Sequence, residues 1–502
     1  MQTAAVSALF VSLAVYILVS LYDARRVKTT AGFLHDAGLP WRAVVSLTAF
    51  SLTLGTGLVY VLSQAKTTGI LIFLTPFGVF LGYAAIAFYY RRLAYRAGAP
   101  APNIFFLLGD RQNDGTYRLS WFGWAFGLFM ALTYVLLLGF ELEVGSEIIM
   151  NSLLADPKPE AHIGFALIIY GVVAVYTALG GLRAAVSTDV FQAIFIVVFI
   201  VALALLLAAA EPGQTASTTQ AAARDEILAG TTAALLLIIA VTTQFYSIVN
   251  VNMGSGYEPR RQFQIFMIVG IASGLVYALV AVLGLYLGTA KGFSDLVQGY
   301  IASDAAPSLR SSFIAFSIFA GMLAVLMSTL DNMTIAVTQI VSENMFRLNP
   351  FHKRENEAGA LAKLRIAHAV VSTGVIGFML ITVHFFEDPF TTLLTILFAA
   401  TVMSPLIAVA AWIGSRGGRS IMHNSILAWV VFGSMAIAWV WYGKLTLEKA
   451  QQESVWLHLA AFGIAFMISM FDLVTWRKRF RSGATATGGT DGRSRALPQE
   501  VV

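Results

Sequence analysis

Thirteen apolar runs, each long enough to cross about 30 Å of hydrocarbon as a helix, leave this 502-residue chain few ways to fold. They lie near 4–22, 43–63, 68–90, 120–142, 163–182, 188–210, 229–250, 264–288, 312–341, 364–385, 390–413, 424–443 and 455–475. In lipid every backbone N–H and C=O needs an internal partner, so runs of this length are helices. No alternating ten-residue pattern points to a β-barrel. The charged fraction is 12%, half the roughly 25% of a soluble domain, which puts most of the chain in a bilayer. The expected class is an all-α polytopic protein, multi-pass in the cell (cytoplasmic) membrane.

Lysine and arginine orient it. The loops after odd-numbered spans, with the tail, hold 25 of the 32 basic residues. By the positive-inside rule the N-terminus is expected outside and the C-terminus in the cytoplasm. The expected layout is a transmembrane body over 1–475 and a disordered cytoplasmic tail over 482–502. Within the body, 1–42 is a first helix and loop, 43–210 and 229–414 are two halves, and 424–475 holds two further helices.

Several function classes fall away. A net charge of +5 invites a nucleic-acid reading, but the charges sit in short loops and the tail. Cysteine is absent, which excludes disulfides, thiolate catalysis and thiolate metal sites. There is no G-x-x-x-x-G-K-[ST] for nucleotide coupling and no H-E-x-x-H for zinc. The seven histidines are scattered singly. The first span lacks a basic leader and is read as retained. Neither an enzyme nor a resident cofactor is expected.

Polar residues inside the spans carry the functional signal. Span 9 turns from apolar to polar at Met327-Ser328-Thr329-Leu330-Asp331-Asn332. Hydroxyls and carboxylates are hard oxygen ligands, suited to a small alkali cation. Span 2 carries hydroxyls and glycines through Ser46-Leu47-Thr48-Ala49-Phe50-Ser51-Leu52-Thr53-Leu54-Gly55-Thr56-Gly57. Span 7 does the same from Thr242 through Gln244, Ser247, Asn250 and Asn252 to Gly256. Interrupted helices at matching places in two halves point to a midplane site, because unwound carbonyls can ligate a cation. Close helix packing through small residues is the plainer alternative. Spans 2–6 and 7–11 would then be inverted five-helix repeats. A further run, Gly180-Gly181-Leu182 through Thr188-Asp189 to Gln192, puts a carboxylate where span 6 begins. Asp189 there is either an ion-linked group or an N-cap.

On these motifs the chain resembles the sodium:solute symporter family, which contains the sodium/proline, sodium/glucose and sodium/pantothenate carriers. Gly180-Gly181-Leu182 with Thr188-Asp189 and Gln192 is similar to the family's G-G-[LF]-x-A-V-x-x-T-D-x-x-Q. Met327-Ser328-Thr329-Leu330-Asp331 is similar to its A-x-M-S-T-x-[DS], and Ser46-Leu47-Thr48-Ala49 to its S-L-x-A. The resemblance implies a LeuT-like inverted-repeat fold with about thirteen helices and sodium as the coupling ion. It implies a sodium site of Ala49 and Leu52 carbonyls, the Val325 carbonyl and the Ser328 and Thr329 hydroxyls. A one-residue shift to Phe50 and Thr53 is open. It also implies that Asp189 lies on an ion exit path or forms a second site with Ser328, Asp331 and Asn332. Thr53, Thr56, Glu141, Gln244 and Ser247 are candidates for the solute pocket. Where the carriers commonly show Gln-Arg in span 7, this chain has Asn252-Met253, which leaves the solute class open.

Glu141, Glu143 and Glu147 read either as an interfacial acidic cluster or as a cation funnel, with Glu141 deep enough to face solute. The expected activity is sodium-coupled symport of a small organic solute by alternating access, with the bilayer, sodium and solute as partners. A single chain would suffice for transport. The competing class is a transporter-like membrane sensor or regulatory subunit.

Overall fold

The computed structural model describes residues 1–34, 40–59, 61–62, 65, 68–92, 105, 108, 110–111, 117–154, 157–209, 237–244, 259–287, 293–302, 308–346, 357–385, 404–416, 420, 460 and 462–478. Seven helices among them are long and apolar enough to cross a membrane. The first, α1, spans Gln2–Ala24, and a short α2 follows at Thr30–Leu34. Proline opens α3 (Pro40–Phe50), where a missing N–H costs nothing in a first turn. A 3-10 turn at Gly69–Phe73 leads into α4 (Leu74–Arg92). Next come α5 (Trp121–Leu153), α6 (Pro159–Ala209) and α7 (Pro259–Leu287). The short α8 (Phe293–Ile301) precedes α9 (Leu309–Ile340) and α10 (Glu357–Phe385). Helices α11 (Ser404–Ser415) and α12 (462–478) are the last described.

The expected spans 163–182 and 188–210 form one 51-residue element, α6, bent at Gly181. The stretch expected to link them is itself helical, because a single residue takes the whole turn. Gly181 has φ 56° and ψ −148°, a region open only to glycine. A Cβ there would run into the Phe33 carbonyl and ring, so α2 seats directly against the bend. The expected span 43–63 is an interrupted helix. Span 229–250 is described only over 237–244, and span 424–443 lies outside the described residues. A second departure from an all-helical chain is small: between α4 and α5, β1 (Asp110–Arg111) pairs antiparallel with β2 (Tyr117–Arg118).

Every residue of α9 from Ser317 to Ile340 is buried. Its neighbours are α6, α1, α5, α10 and α3. A helix with no lipid-facing side can carry carboxylates and hydroxyls that lipid would reject, and α9 does. By contrast α1 is peripheral and turns Phe10, Leu18 and Tyr22 outward.

The start of α9 is fixed by a reciprocal cap. Ser308 Oγ accepts from the Ser311 N–H at 3.0 Å, and Ser311 Oγ accepts from the Ser308 N–H at 2.9 Å. Ser308 is exposed, so Ser308→Ala is expected to lower stability by about 1 kcal/mol without touching the interior. Thermal unfolding of the purified protein checks this.

Candidate functional site

The interruption in span 2 is built by side chains from α7. Helix α3 stops at Phe50, Leu52 and Thr53 are non-helical, and the chain resumes as a wide π turn at Leu54–Val59. Tyr277 donates its hydroxyl to the Ser51 carbonyl at 2.8 Å, replacing a helical N–H. The Ser51 and Ser273 hydroxyls lie 2.6 Å apart. The Leu52 N–H turns back to the Ala49 carbonyl at 3.1 Å, and the Leu58 N–H reaches the Thr53 carbonyl at 2.8 Å. Gly57 lets Tyr277 come this close, since a Cβ there would collide with its hydroxyl and with Thr53 Oγ1.

One turn before the break, Ser46 donates to Asp189 Oδ2 on the second arm of α6. Asn332 Nδ2 of α9 donates to the same oxygen at 2.9 Å and also to the Ser328 carbonyl at 2.9 Å. Helices α3, α6 and α9 therefore meet at Asp189. The neighbouring carboxylate, Asp331, accepts from the Asn332 N–H at 2.7 Å, Tyr176 at 2.6 Å and Thr188 at 3.2 Å. Asp189, Asp331, Ser328 and Thr329 are wholly buried. Asp189 lies two turns into its helical arm, so the N-cap reading of it fails.

Among the described residues, several oxygens at this junction make no well-formed hydrogen bond: Asp189 Oδ1, Ser328 Oγ and Asn332 Oδ1. Ser328 nonetheless lies beside Asp189. One turn further along α6, neither amide atom of Gln192 is paired with a described residue. Buried polar atoms are nearly always satisfied, so a group of orphans on facing helices asks for a ligand. Thr329 donates to the Val325 carbonyl at 3.2 Å, which leaves its lone pairs available. The donor set is oxygen-rich and suits an alkali cation. No group of three or more His, Asp or Glu among the described residues fits a transition metal.

The solute-pocket candidates are brought together only in part. Thr53 and Glu141 both approach Tyr277. Gln244 is buried against Gly82 of α4, Thr56 is described as backbone within the π turn, and Ser247 lies outside the described residues. Of the α5 acids Glu147 is exposed, whereas Glu141 and Glu143 are buried.

Sequence reasoning did not assign roles to Tyr176, Thr188 or Tyr277, whose partners are far away in the chain. His368 was read as one scattered histidine. It is buried on α10, with Nε2 3.0 Å from Thr177 Oγ1 and 3.1 Å from the Ala174 carbonyl, and Nδ1 3.0 Å from Thr338 Oγ1. It thereby pins α10 to α6 and α9.

No protein-family profile matches the sequence, and no curated protein does. Among solved structures the chain is similar to a Na+-coupled sialic acid symporter in a substrate-bound, outward-open state. Identity is 14%, over 94% of this chain and 97% of that one, with a TM-score of 0.62. A mutant of the Eremococcus coleocola manganese transporter aligns more loosely, at 12% identity over 87% of this chain and 95% of that one, TM-score 0.46. The chain thus has the fold of that symporter structure over nearly its whole length, with the α3–α6–α9 junction buried inside it.

Proposed function

We propose that the chain is a sodium-coupled secondary active symporter that imports a small organic solute by alternating access. The observation that carries this reading is the set of buried, unpartnered oxygens on α6 and α9 at an interrupted helix. The shared fold supports it.

In this reading thirteen spans run from an outside N-terminus to a cytoplasmic C-terminus, and 43–210 and 229–414 are inverted LeuT-like repeats. Helices α3 and α9 then run in opposite directions. One turn beyond Ser46 on α3 is the Ala49 carbonyl, and the Leu52 carbonyl follows just past the end of that helix. One turn before Asn332 on α9 are Ser328 and Thr329. The two sets face each other at one level, and with the Val325 carbonyl they make a five-oxygen sodium site. Asp189, Asp331 and Asn332, with Ser328, make a second. Glu141, Thr53, Thr56, Gln244 and Ser247 line the solute pocket. Moving one charge through 100 mV yields about 2.3 kcal/mol, enough to drive accumulation with no covalent step.

The test is uptake by proteoliposomes across a metabolite panel in sodium or choline. Ser328→Ala and Thr329→Ala each remove one oxygen, and each is expected to raise the half-saturating sodium concentration about tenfold, or about 1.4 kcal/mol. Uptake indifferent to sodium, or to both substitutions, refutes the reading.

A further inference from the structure

The peripheral helix α1 has an unexpected inner face. Its buried stripe reads Ala5, Ala8, Leu9, Ser12, Tyr16, Ser20 and Asp23, so it is apolar in its first half and polar in its second. The polar half looks onto the arm of α6 that carries Asp189 and Gln192. The Tyr16 ring stands edge-on against Phe195, 6.3 Å between centroids, one turn from Gln192. Its hydroxyl is close enough to feel the charges of both Asp331 and Asp189. At the far end Asp23 lies 3.7 Å from Arg183 and 3.8 Å from Arg26.

Protein satisfies only part of this face: Ser20 donates its hydroxyl to the Tyr16 carbonyl at 2.6 Å. Ser12 and Tyr16 lie side by side, yet neither oxygen makes a well-formed hydrogen bond to a described residue. The amide of Gln192 and Asp189 Oδ1, across the seam, are in the same condition. Dry packing of such atoms forfeits their hydration without replacement, and alanine and leucine on the same stripe show that α1 has a cheaper way to pack. Water or a hydrated ion satisfies them instead.

We propose that α1 walls a hydrated cation passage, in which Ser12, Tyr16 and Ser20 line the α1–α6 seam beside Gln192 and Asp189 and guide the coupling ion along it to and from the α3–α6–α9 junction. The proposal rests on the sodium reading above and extends it to a helix outside the two repeats. Tyr16 is the positioning residue of the route.

The chain has no cysteine, so single replacements report their own surroundings. Ser12→Cys, Ser20→Cys and Gln192→Cys are expected to react with aminoethyl methanethiosulfonate, a small cation, about tenfold faster than Ala8→Cys on the same stripe. Sodium, and not choline, is expected to slow the reaction at Gln192→Cys. Tyr16→Phe keeps the ring on Phe195; it is expected to bind radioactive sodium as tightly as the native protein and to release it several-fold more slowly. Thiols as inert as Ala8→Cys overturn the passage. So does labelling that ignores sodium in a protein that binds it, or unchanged release from Tyr16→Phe. Native protein that binds no radioactive sodium overturns the sodium reading instead, and the same preparation reads both.

Discussion

In sodium-free buffer, Asp189→Asn is expected to melt no lower than the native protein, and on adding sodium it is expected to gain almost nothing. Asparagine keeps the shape of the side chain and an oxygen for Ser46 and Asn332 to donate to. What it removes is a wholly buried negative charge whose bonds come from a hydroxyl and an amide. Burying a carboxylate without a cation is costly, so losing the charge relieves the ion-free state. With sodium present the native carboxylate has its counter-charge, and the variant lacks it. The melting difference between sodium and choline should therefore collapse in the variant, and half-saturating sodium for uptake should rise at least tenfold, or about 1.4 kcal/mol. A native protein that melts identically in both salts would count against the ion site altogether.

Gly181→Ala is expected to leave little folded protein. The residue sits at φ 56° and ψ −148°, where a side chain costs of order 1–3 kcal/mol in backbone strain alone. A Cβ would also meet the backbone of Phe33, which cannot swing aside as a flexible side chain can. Both costs fall on the joint that aims the two arms of α6 at α9, so Asp189 and Tyr176 would lose their common register. Gly171→Ala on the same helix is the control, because a Cβ there meets nothing within 4 Å and its backbone is ordinary. Monodisperse yield and thermal unfolding separate the two. Equal behaviour of the pair would mean that α2 and the bend do not hold each other as the geometry requires.

The helical class was legible because lipid forces it: a long apolar run has no other way to satisfy its backbone. The break in span 2 was legible for a related reason. Gly55, Gly57 and a cluster of hydroxyls inside an apolar run are hard to explain as lipid contact, and the helix does part between Phe50 and Leu54. Ser328, Thr329 and Asp189 stood out as polar residues at membrane depth, and they are buried as their cost demands. What local pattern could not supply is who meets whom. Tyr176 reaches Asp331 across 155 positions, and Tyr277 reaches Ser51 across 226. Nothing nearby in sequence marks those pairs. Tyr16 was hidden differently: a hydropathy reading takes α1 as one apolar run and averages away Ser12, Tyr16, Ser20 and Asp23. Their spacing of four, four and three is a helical stripe, and it is the signal that reading overlooks. The loop expected between spans 5 and 6 failed because two adjacent glycines can turn a helix within one residue, which no count of loop lengths allows for.

Chain order gives the buried axis of this molecule a property that its neighbours lack. Growing polypeptides are organised from the N-terminus onward, and α1, α3, α5 and α6 are all made before α9. When α9 leaves the ribosome, most of its cradle has already been synthesised, so its carboxylate and hydroxyls need not face acyl chains while waiting for later segments. Removing α1 would open that cradle from its polar side, whereas ending the chain soon after α9 would leave most of the sheath intact.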